Sequence, residues 1–148
     1  MSRVPELIDA LVGRFRTEEG LAAVHVTDGP EVSSEDSADW VLVGYDGDPN
    51  GEMQAAVTEE QWAGLGASRE EMVQLPITLL ARRGDTDVRA ARARVYELST
   101  VVKEVLRADP TVGLGGVQCA VGSTALFQAQ TPEGIQARLV LTLACRTI

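Results

Sequence analysis

At 148 residues, 45% of them hydrophobic and 24% charged, the chain is long enough to build a core without metal or disulfide support, and this balance excludes wholesale disorder. With 22 acidic residues against 13 basic ones the net charge is −9, which argues against a protein that coats nucleic-acid phosphates, because counterion release needs clustered Lys and Arg. No apolar run approaches the roughly 20 residues of a membrane span, and the amphipathic start is unlike a signal peptide, so a cytoplasmic location is expected.

Ser2 is placed to cap a first helix, with Pro5 in its opening turn and Val4, Leu7, Ile8, Leu11 and Phe15 along one apolar face. Residues 22–26 and 40–45 read as two short strands, separated by Asp28-Gly29-Pro30 and a polar loop over 31–39. Residues 46–51 form a turn by composition. Beyond it, 53–58 are predicted as a strand and 59–63 as a helical turn ending at Gly64. Alternation returns over 72–81, with Val73, Leu75, Ile77, Leu79 and Ala81 on one side. Pro76 cannot donate to a ladder, which predicts an edge strand or a bulge there. Gly84-Asp85-Thr86-Asp87 then supplies a cap and acids for a long helix whose apolar positions are Val88, Ala91, Val95, Leu98, Val102 and Val105. Pro110 ends it.

Residues 117–148 read as one long β-hairpin turning through Gln130-Thr131-Pro132-Glu133-Gly134. With Gln130 opposite Gly134, Phe127 pairs with Ala137, Ala125 with Leu139, Val121 with Leu143 and Cys119 with Cys145. The odd positions of both strands then share an apolar face, expected to pack under the helices. The even face mixes Gln118, Thr124, Gln128, Gln136, Arg138, Thr142 and Arg146 with Leu126 and Val140, a composition suited to contact with another protein. The two cysteines face each other in that register; a bridge fits the geometry, but a reducing compartment favours buried thiols. The order helix, strands, long helix, hairpin implies a single α+β domain over 1–148: a mainly antiparallel sheet with a long C-terminal hairpin and both helices packed on one face.

No motif carries chemistry. Residues 46–51 have the Asp, Asp, Asn and Gly of a calcium-loop opening, but Val57 stands where the bidentate Glu is required, so a solvated turn is expected. His25 is the lone histidine and reads as an ordinary strand residue, with no nucleophile in a defined setting. Gly113-Leu114-Gly115-Gly116 follows a helix and precedes a strand, the reverse of a phosphate cradle. Nothing is expected to bury Glu59, Glu60, Glu70 or Glu71, so general acid-base chemistry has no support. Neither catalytic residues nor a cofactor are expected. Two features point instead to assembly. Arg82, Arg83, Arg89, Arg92 and Arg94 cluster in an acidic chain, either as a solvated face or facing acids of a neighbouring subunit such as those of 31–39. Trp62 is either a plug folded back on the sheet edge or an anchor for a partner.

The amphipathic first helix, the strand meander with its Asp/Gly-rich loop, the GDTDV start of the long helix, its exit LRADPTVGLGGV and the alternating final hairpin together make the chain resemble the tail terminator, or tail-completion, proteins of tailed bacteriophages and prophages. The resemblance spans nearly the whole chain. It implies a structural virion protein, not an enzyme, assembled in the host cytoplasm as a homohexameric ring. Such a ring caps the head-proximal end of the tail tube, stops tube polymerisation and offers its other surface to the head completion or connector protein. DNA would pass through its channel without specific binding, which suits an acidic chain. Subunit contacts are expected from Arg82, Arg83, Arg89, Arg92, Arg138, Val140, Arg146 and Trp62. The alternatives are a head–tail connector or neck adaptor of similar fold and, from a different class, a small ligand-binding or enzymatic domain using the sheet face as a pocket floor.

Overall fold

The computed structural model describes residues 2–30, 37–62, 69–84, 86–132 and 134–148. Helix α1 (Val4–Arg16) is followed by a 3-10 turn (Glu19–Leu21) and the strands β1 (His25–Asp28), β2 (Asp39–Val43), β3 (Val57–Trp62) and β4 (Arg69–Arg83). Helix α2 (Val88–Ala108) then leads into the hairpin of β5 (Val117–Thr131) and β6 (Gly134–Thr147). The described strands form one sheet in the order β1-β2-β4-β6-β5, with β3 pairing β4 beyond the end of β2. The fold is α+β and the sheet mainly antiparallel; only the β1–β2 pairing is parallel. No described helix is long and apolar enough to cross a membrane.

Both helices cover the same sheet face. Leu7, Leu11 and Phe15 of α1 and Ala91, Val95, Leu98 and Val102 of α2 join Val73, Leu75, Ile77 and Leu79 of β4 and Leu139, Leu141 and Leu143 of β6 in one buried cluster. The period of the helices and the alternation of the strands select the same set, as an amphipathic two-layer packing requires. Each leucine buried there contributes about 1.5–3 kcal/mol. On the other face Trp40, Leu42 and Leu80 form a smaller buried cluster, with Tyr45 against them.

The start of α2 follows the expected signal, while the N-cap of α1 falls one residue later than expected. Asp87 is the N-cap of α2, its carboxylate accepting the Ala90 N–H at 3.0 Å. Asp87→Ala is therefore expected to lower stability by about 1 kcal/mol, read as a shift in the midpoint of urea denaturation. At α1 the N-cap is Arg3, while the Ser2 hydroxyl accepts the Val4 N–H at 3.2 Å. Asp85 and Glu133, read as parts of the cap and the hairpin turn, lie outside the described residues, as do 31–36 of the polar loop and Gly64.

Four local expectations are corrected. Residues 19–21 form a 3-10 turn and the first strand starts only at His25. The strand expected over 53–58 starts only at Val57, and Glu59–Trp62 do not make a helical turn: they belong to β3, paired with β4 from Val57↔Gln74 to Trp62↔Arg69, while Ala63 lies outside the described residues. Pro76 sits in a central strand. It falls where the flank of β4 passes from β2, which ends opposite Ile77, to β3, which begins opposite Gln74. Its carbonyl there accepts the Gly44 N–H at 2.8 Å, and a residue without an N–H leaves no orphan donor in that gap. Finally, β5 is irregular between Val121 and Ser123. Cys119↔Cys145 and Val121↔Leu143 pair as expected, but beyond the irregularity Leu126 meets Leu139 and Phe127 meets Arg138. A one-residue slip moves every later side chain to the opposite face.

Candidate assembly surface

The predicted arginines divide between the two sides of the sheet. On the helix side Asp39, at the start of β2, accepts from Arg83 at 3.0 Å and from Arg94 at 2.8 Å, and Arg94 also reaches Glu97 at 3.1 Å. The bond to Asp39 raises the Arg94 pKa further. An acidic partner for the cluster thus comes from the chain itself, at the end of the loop where acids of a neighbour were expected. Arg92 donates to Gln128 of β5 at 2.9 Å, and Arg89 is exposed.

On the opposite face Arg82 donates to Gln136 at 3.3 Å and lies 5.9 Å from the Trp40 ring. Arg138 stacks on Phe127 with 4.2 Å to the ring centroid and donates to the Asp46 carbonyl. Its stem is so close to Gly47 that a Cβ there would come within 2.6 Å of Arg138 Cδ. Arg146 is paired with Glu70, and half-buried Val140 lines a cleft of about 500 Å³ between residues 46–54 and the sheet. Arg82, Arg138, Val140 and Arg146 thus share this face but are spread along it, from the Arg82↔Gln136 pair at one end of the β4–β6 ladder to Met72↔Arg146 near the other. Trp62 stands apart on β3. It is 61% exposed with Arg69 4.6 Å over its ring, so it is no buried plug.

Sequence reasoning missed Phe127, Met72 and Tyr96, which are 47%, 36% and 47% exposed. Phe127 was assigned to the core, and the slip in β5 turns it outward. One signal was available: the whole of Val117–Thr131 contains no charged residue, unusual for a strand that ends a sheet. Glu70 and Glu71 are buried, contrary to expectation. Glu71 accepts the Arg3 N–H at 3.0 Å and the Thr147 hydroxyl at 3.3 Å, tying both ends of the chain to β4.

The remaining motifs are occupied with local structure. Asp46 accepts the Asp48 N–H and Asp48 the Asn50 N–H, each at 2.9 Å, so both carboxylates close their own turn. The His25 ring packs edge-on against Trp40 at 4.6 Å. Cys119 and Cys145 are buried free thiols; the hydrogen bond they share, together with burial, pushes the Cys145 thiol up and keeps it protonated. No protein-family model matches the chain. No curated protein matches it in sequence.

Proposed function

We propose that the chain is a structural protein of virion assembly, a tail terminator that closes the head-proximal end of a phage tail tube as a homo-oligomeric ring. The observation that carries this reading is the distribution of unsatisfied surface. Many charged side chains of the described residues are committed to turns, caps and ion pairs, while among those residues the uncharged margin of the sheet at β5 stays open. A molecule of that kind is equipped to join other chains. Its net charge of −9 suits a ring through which DNA moves without sticking. The ring's partners are the tail tube protein on one side and the head completion or connector protein on the other.

The test is to add purified chain to its cognate tail-tube protein during polymerisation. Tubes should become shorter as the chain is added, each with extra density at one end in electron micrographs. Tubes that elongate unchanged, with bare ends, would count against a terminator.

A further inference from the structure

We infer that copies of this chain join head to tail by sheet extension, β5 of one copy adding to β3 of the next; this deepens the ring reading and rests on it only for closure of the circle.

Three observations select these two edges. First, β5 is open. The Cys119 N–H is taken by the Pro110 carbonyl at 2.8 Å, but among the described residues nothing besides β6 bonds to the backbone from Ser123 to Ala129. Charged residues and proline, which blunt natural edges, are absent from the strand. At the opposite margin β1 is stopped, because Arg16 donates to the Val26 carbonyl at 3.2 and 3.3 Å. Among the described residues the outer edge of β3 has no strand partner, and all its side chains are exposed. Second, of the exposed large apolar residues among those described, Val57 and Trp62 lie on β3, Met72 on β4 opposite β3, and Phe127 on β5.

Third, the charges are complementary. The flank of α2 beside β5 carries Arg92, bonded to Gln128, and Lys103, which with Ser123 and Thr124 lines a groove of about 690 Å³. On β3, Thr58, Glu60 and Trp62 pair with Val73, Glu71 and Arg69, the residues of β4 that share the helix-side alternation. On β5, Thr124, Leu126 and Gln128 pair with Leu141, Leu139 and Ala137 and lie on that same side. A continuous sheet therefore sets this end of β3 and β4, where Glu60 pairs with Arg69 at 3.0 Å and the neighbouring Glu71 leaves an excess of one carboxylate, beside the basic flank of the other copy. Pairing β5 with a second β5 about a twofold axis would bring two basic flanks together instead. Head-to-tail contacts of this kind close into rings when the rotation allows.

The experiment compares the full-length chain with Glu60→Lys, Lys103→Glu and the double variant, with mass measured by sedimentation velocity and folding by circular dichroism. Both positions are exposed, so all four proteins should give the same spectrum. Each single reversal should weaken association about tenfold or more, and the double variant should recover it. Phe127→Glu should also dissociate the assembly. If Phe127→Glu dissociates it while Glu60→Lys leaves the mass unchanged, β5 pairs with itself and the inference is overturned. An assembly indifferent to all these changes also overturns it, yet leaves the ring reading standing. Charge-dependent assembly that fails to shorten tubes supports the edge contact and removes the tail assignment.

Discussion

Alanine at position 134 is expected to destabilise the fold by about 3 kcal/mol. Gly134 opens β6 at φ 122°, a conformation L side chains rarely adopt, and the hairpin there passes directly over the end of β4. A Cβ would collide with the Arg83 carbonyl oxygen and come within 2.9 Å of Gly84 Cα. Backbone cannot swing aside as a flexible side chain can, so strain and overlap add. Gly29 separates the two contributions: it has φ 73° but nothing within 4 Å of its Cβ position. Gly29→Ala should therefore cost only about 1 kcal/mol. Urea denaturation of both variants checks this, provided the slope of the transition is unchanged. Equal losses at 29 and 134 would mean that β6 does not pass β4 as closely as described.

The second large effect is expected at Asp39. Its side chain is 12% exposed and holds two arginines that are each 28% exposed. One carboxylate thereby ties the start of β2 to the end of β4 and to the first half of α2. Asp39→Ala leaves Arg83 and Arg94 without it in a partly desolvated site, a loss of about 2 kcal/mol. Arg83→Ala and Arg94→Ala should each cost about half as much, and their effects should all but vanish in the Asp39→Ala background. A loss below about 0.5 kcal/mol would place the cluster with ordinary surface pairs.

Why some of this was legible in the sequence and some was not follows from the period of each signal. The helices and β4 alternate cleanly against one apolar layer, so Leu98, Leu75 and Ile77 could be placed in the core from spacing alone. The hairpin shows the limit of the same logic. In β6 the alternation holds throughout, while in β5 an extra residue between Val121 and Ser123 reverses the faces. Phe127 and Ala125 fit the odd pattern by composition and were misplaced by geometry. Gly122 within a strand was the local sign of a bulge. Strand β3 was illegible for another reason: exposed on both faces, it carries no apolar alternation to distinguish Glu59-Glu60-Gln61-Trp62 from a helical turn. Pro76 misled because an edge and a bulge are not the sole places a strand tolerates proline; the gap between β2 and β3 provides another. The arginine cluster was visible as a cluster, but its link to Asp39 spans 44 and 55 residues of sequence and only the folded topology brings it together.

Native mass spectrometry of the purified chain, alone and mixed with its tail-tube protein, tests the central assignment most directly. The ring reading predicts one closed oligomer of defined mass, a hexamer if the resemblance to tail terminators extends to copy number, and its retention on tube ends in the mixture. A strict monomer in both samples would contradict it.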